Sequence, residues 1–106
     1  MGFFDRLKGA DINEGVRQCR ETENAVLLDV RDGSEYAAGH IPGSVNLPLA
    51  GIDGIAEVVA DRERPIFTYC LSGGRSGRAA AALKAKGYTS VTNIGGIRGY
   101  EGELEK

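Results

Sequence analysis

The chain has 106 residues, 13 Lys and Arg against 15 Asp and Glu, and a formal net charge of −2, which bounds it to one domain with one packed core and gives no basic face for nucleic acid. No apolar run approaches the roughly 20 residues of a membrane span, and Met1–Lys8 lacks the apolar stretch and cleavage site of a secretory leader, so a cytoplasmic setting with no membrane partner is expected. Two cysteines and one histidine fall short of a zinc set, and no cofactor or metal is expected.

Residues 1–9 read as an N-terminal extension whose Phe3, Phe4 and Leu7 pack onto the domain formed by residues 10–106. A first helix is predicted from Asn13, as its N-cap, to about Arg20, with Val16 facing inward. Ala25–Val30 is an apolar run carrying a carboxylate at Asp29, the pattern of a strand covered on both faces. A short helix over Ser34–Ala38 leads into the tight turn Gly39-His40-Ile41-Pro42-Gly43, and Ser44–Leu47 makes a short strand closed by Pro48. Ile52, Ile55, Val58 and Val59 stand at helical spacing. Pro65–Tyr69 is a third buried strand, the segment after Arg75 a helix that stops at Gly87, and Ser90–Ile94 a fourth strand, followed by Gly95-Gly96 and a short tail helix. Strands alternating with helices imply a mostly parallel sheet, with ligands gathering beyond the carboxyl ends of its strands.

Cys70 stands at that end, on the turn between the third strand and the next helix, in Cys70-Leu71-Ser72-Gly73-Gly74-Arg75-Ser76. Loop amides and the positive end of the following helix favour a thiolate there, and Arg75 adds a full charge. A thiol of pKa roughly 8.5 falls to about 7 or lower in such a setting, which makes it a nucleophile at neutral pH. Cys70 is therefore the candidate catalytic residue, and Leu71, Ser72, Gly73, Gly74, Arg75 and Ser76 are the candidate substrate cradle, with Arg75 either facing an anionic donor or tying the loop down. Cys19, on the first helix, reads as a small core residue. His40 reads as an anchor of its turn, and Asp29, Arg31 and Glu35 as an ion-pair cluster that fixes the start of the next helix. The G-x-x-x-x-G-K-[ST] pattern of a phosphate loop is absent.

Asp29-Val30-Arg31, Glu35-Tyr36, Gly39-His40-Ile41-Pro42-Gly43-Ser44-Val45-Asn46, Cys70-x-x-Gly73-x-Arg75-Ser76 and Gly95-Gly96-Ile97 occur in this order, and over about residues 10–104 the chain resembles the single-domain rhodanese sulfurtransferases. The resemblance implies a rhodanese-like α/β fold, with a five-stranded mostly parallel sheet flanked by helices on both faces. It also implies that Cys70 accepts sulfane sulfur as a persulfide, from a small donor such as thiosulfate or a persulfide, and passes it to a thiophilic acceptor, for which a protein is one candidate. Two positions depart from the pattern: Tyr100 stands where many relatives carry Trp, and Leu71 where a basic or polar residue is frequent. The competing readings are a sulfur carrier or binding module that works only when docked to a partner, and a cysteine-dependent phosphatase or arsenate reductase. The second needs a longer loop than the four residues Leu71–Gly74 between the nucleophile and Arg75.

Overall fold

Two of the four strands are buried at every position, and each places successive side chains on opposite faces of one sheet, so both faces must be covered. The computed structural model describes residues 11–106, and the expectations for the N-terminal extension with Phe3, Phe4 and Leu7 lie outside them. Helix α1 spans Ile12–Glu21, strand β1 Val26–Asp29, helix α2 Gly33–Ala38 and strand β2 Val45–Asn46. A 3-10 segment over Leu49–Glu57 leads to strand β3, Ile66–Cys70, helix α3, Gly74–Ala85, and strand β4, Val91–Gly96. All pairings are parallel, in the order β2-β1-β3-β4, with Leu27 opposite Phe67 and Ile66 opposite Val91.

Val26, Leu28, Ile66 and Val91 face α3 and the 3-10 segment, through Ala79, Ala80, Leu83, Ile52 and Ile55. Leu27, Phe67, Tyr69 and Ile94 face α1, through Ile12, Val16 and Cys19. The expected α/β sandwich is therefore present, with four strands among the described residues where the resemblance implied five. No fifth strand forms after β4, because the chain turns away in a short 3-10 turn, Ile97–Gly99, and returns only as an isolated antiparallel bridge from Glu105 to His40. That turn also replaces the expected tail helix. Val58, grouped by its spacing with Ile52, Ile55 and Val59, is exposed: the 3-10 segment turns Ile52 and Ile55 inward and ends at Glu57, and Val59 beyond it is buried in its place. No helix among the described residues is long and apolar enough to cross a membrane.

The start of α1 also differs from expectation. Asp11, not Asn13, is the N-cap, its carboxylate accepting from the Asn13 amide at 3.0 Å. Asn13 instead ties the helix to the tail of the chain, donating to the Gly99 carbonyl at 3.0 Å and accepting from the Glu101 amide at 2.9 Å. A cap contributes about 1 kcal/mol. Asp11→Ala is accordingly expected to lower the unfolding free energy by about that amount in urea melts; a change within experimental error would show that solvent serves the freed amide equally well.

Candidate active site

The buried strand β3 delivers Cys70 to the carboxyl edge of the sheet, and the chain turns at once into α3. Gly73 makes that turn with φ +109°, a backbone angle that a residue with a Cβ rarely adopts. The result places the Gly73 amide 3.0 Å from the Cys70 sulfur and the Ser76 hydroxyl 3.4 Å from it. Cys70 itself is 1% exposed. Burial works against its ionised form, but the hydrogen bonding that Ser76, Gly73 and Ser72 offer around the sulfur outweighs it and holds the thiol below its ordinary range. The Thr68 hydroxyl donates to the Ser76 carbonyl at 3.1 Å and fastens the first turn of α3 to β3.

The loop's own cation is engaged. Arg75 donates to both carboxylate oxygens of Glu35, at 2.7 and 3.1 Å, across from α2. Glu35 also accepts from the Asp32 amide at 3.0 Å as part of the capping box of α2, and Arg75 holds its carboxyl down at about 2, well below the usual carboxylate range. The pair therefore persists throughout the range in which a thiol titrates, so Arg75 ties the loop to α2. Of the two roles left open for Arg75, this geometry realises the tether.

Asp29 and Arg31 form a buried ion pair, Arg31 Nη2 to Asp29 Oδ2 at 2.7 Å, and Arg31 also donates to the Gly39 carbonyl at 2.8 Å. Arg31 is thus sealed into the wall behind α2. The cluster expected for Asp29, Arg31 and Glu35 divides into two pairs, one beneath α2 and one reaching the loop. His40 stacks on the Tyr36 ring at 3.7 Å between centroids and donates from Nδ1 to the Tyr36 carbonyl at 2.9 Å, as a turn anchor does, and no hydrogen bond joins it to Cys70. Cys19 lies in the core beneath α1, its thiol pushed up to about 11 by burial.

Two features of the site were not placed there from the sequence. Gly96 pairs with Cys70 across the β3–β4 ladder, and the Arg98 amide donates to the Leu71 carbonyl at 3.1 Å, so the end of β4 lies directly along the loop. A groove lined by Leu71, Ser72, Gly96, Arg98 and Ile12 opens there. Asn93 is the second: a polar residue in a strand that ends beside Cys70 was the available signal, and its side chain contacts the loop at two points. The Cys70 sulfur is thus buried among the amides of Ser72, Gly73 and Ser76, with the apolar Leu71 directly after it.

Residues 13–103 match the family model of the Rhodanese-like domain. Among similar proteins, the thiosulfate sulfurtransferase PspE of Escherichia coli (strain K12) is 38% identical over 72 residues, covering 67% of this chain and 69% of that protein. The protein YqhL of Bacillus subtilis (strain 168) is 35% identical over 82 residues, and the match covers 76% of this chain but only 64% of YqhL. Among solved structures, a rhodanese with anions from E. coli superposes with a TM-score of 0.72 at 34% identity, covering 77% of this chain and 98% of that one.

Proposed function

The chain belongs to the rhodanese-like domain family, and from that premise we propose that it is a sulfurtransferase in which Cys70 accepts a sulfane sulfur and hands it on. The Cys70 thiolate attacks the outer sulfur of a donor such as thiosulfate. The donor's S–S bond breaks, sulfite leaves with the electron pair, and Cys70 holds a persulfide anion. An acceptor nucleophile then attacks the terminal sulfur, and the Cys70 thiolate leaves. The observation that carries this reading is the Cys70 sulfur held 3.0 Å from the Gly73 amide at the centre of the loop, with the thiol below its ordinary range. The amides from Leu71 to Ser76 stabilise the anion in both states, while Arg75, engaged by Glu35, fixes the loop in the shape that aims them.

Phosphate transfer fits less well. The four residues between Cys70 and Arg75 make a ring too small to wrap a tetrahedral phosphate, and Arg75 is turned to Glu35. The same reading takes residues 10–106 as the working domain and a reducing, cytoplasmic compartment as its setting. Mass spectrometry of the protein treated with thiosulfate is expected to find one extra sulfur on the Cys70 peptide, removable by a thiol. Turnover of thiosulfate by the isolated chain marks an autonomous enzyme, whereas persulfide formation without turnover marks a carrier that needs a docked acceptor. A Cys70 peptide that never gains sulfur overturns the proposal.

A further inference from the structure

The Ser76 hydroxyl has one proton and four acceptors in reach. The Asn93 Oδ1 lies at 2.6 Å, the Gly73 carbonyl at 3.1 Å, and the Gly95 carbonyl and the Cys70 sulfur both at 3.4 Å. The orientation of the Asn93 amide is set by its other partners. Its Oδ1 accepts from the Gly95 amide at 3.1 Å, and its Nδ2 donates to the Gly73 carbonyl at 3.2 Å. Turning it over would set two donors and two acceptors against one another, so in the short contact it is Ser76 that donates. The hydroxyl proton thus points at β4, and the Ser76 oxygen presents its lone pairs to the sulfur.

We propose that Asn93 is a positioning residue that draws the Ser76 hydroxyl proton away from the Cys70 sulfur, leaving the sulfur to the backbone amides and keeping it nucleophilic. A hydroxyl bonded to the sulfur stabilises the thiolate but also lowers the basicity with which it attacks, and nucleophilicity follows basicity in thiol chemistry. By committing that proton elsewhere, Asn93 limits the sulfur's donors to the amides, which a persulfide of similar charge uses equally well. Asp29 at the end of β1 is paired with Arg31, and Glu35 of α2 with Arg75 of α3; α3 also carries Arg78 and Lys84, neither of which hydrogen-bonds to the sulfur, and β4 brings no ionisable side chain. The proton of one hydroxyl is therefore an adjustable contribution to the sulfur's electrostatics.

The test is a titration of Cys70 by thiolate absorbance in a Cys19→Ser background, read as the difference from the same protein carrying Cys70→Ser. Asn93→Ala frees the Ser76 proton to turn to the sulfur, and the apparent pKa of Cys70 is expected to fall by about 0.5 to 1 unit, the size of a long charge-assisted hydrogen bond. The alkylation rate constant of the fully ionised thiolate should fall with it, by about two- to threefold. With Ser76→Ala also present, Asn93→Ala should no longer move the titration. Asn93→Asp keeps both acceptor contacts, gives up the donor to the Gly73 carbonyl and adds a negative charge, so it is expected to raise the pKa, and it serves as the second test if the alanine variant fails to fold. An unchanged or raised pKa in Asn93→Ala, a fall that survives Ser76→Ala, or a fall in Asn93→Asp overturns the proposal; a merely structural Asn93 would lower stability and leave the titration in place. The proposal rests on Cys70 being the reactive thiol, but its readout is independent of sulfur transfer. A Cys70 that titrates as described yet forms no persulfide would sink the sulfurtransferase reading alone.

Discussion

Cys70→Ser is expected to remove sulfur transfer altogether, a loss of at least about a thousandfold in kcat/KM, while the protein stays folded. The reasons lie in the chemistry of the atom exchanged. A hydroxyl is almost entirely un-ionised at neutral pH, and the amides that favour a thiolate do not bring it within range of deprotonation. Oxygen in place of sulfur also gives no persulfide to carry forward. The exchange barely changes volume, and the buried oxygen inherits the Gly73 amide at the position where the sulfur accepted from it at 3.0 Å. Stability should therefore stay within about 1 kcal/mol of the parent. Cys19→Ser is the control: that thiol is buried beneath α1 and pushed up to about 11, so its loss should leave turnover unchanged. Circular dichroism, denaturant melts and thiosulfate turnover of the two variants decide the matter. Substantial turnover by a folded Cys70→Ser protein, or a large loss in Cys19→Ser, would remove Cys70 from the centre of the mechanism.

The sequence carried the strand-loop-helix around Cys70 because each part has a local cause: an apolar run for β3, a glycine at the turn, and small residues at helical spacing for α3. The parallel α/β arrangement followed from strands alternating with helices. What it did not carry depends on choices between nearby candidates or on contacts made across the sheet. Asp11 and Asn13 are both good N-caps two positions apart, and Asn13 is drawn off by Gly99 and Glu101, 86 and 88 residues away. The apolar spacing of residues 52–59 suits an α-helix and a 3-10 turn almost equally, and packing against the sheet selects the tighter form. Arg75 could face a donor or tie the loop, and only the approach of α2, which brings Glu35 to 2.7 Å, distinguishes the two. Asn93 was passed over for the same reason: its three side-chain contacts run to Gly73, Ser76 and Gly95, and the two that reach the loop come from outside its own strand.

The close approach of β4 to the loop makes Gly96→Ala the second large effect. Gly96 has φ −130° and ψ 142°, an extended conformation open to any residue, so the demand for glycine there comes from space alone. A Cβ added to it would fall inside contact distance of the Leu71 carbonyl and lie 2.6 Å from the Ser72 Cα. Both obstacles are backbone, and neither can swing aside as a flexible side chain would. Leu71 and Ser72 directly follow the nucleophile, so relief of the clash must shift the stretch that carries the Ser72 and Gly73 amides. The shift needed is on the order of 1 Å, enough to cost about a hundredfold in rate at a site whose donors must converge on one sulfur. We expect kcat/KM to fall by about that factor, the Cys70 thiol to rise toward its ordinary range as its amides are drawn off, and stability to drop by about 1–3 kcal/mol from overpacking. Gly54→Ala, at a position with nothing within 4 Å of the new methyl group, should change none of these. Kinetics within threefold of the parent for Gly96→Ala, with the thiol titrating as before, would mean that the loop yields to the methyl group without moving its amides, and that the fit of β4 against it does not set the geometry at the sulfur.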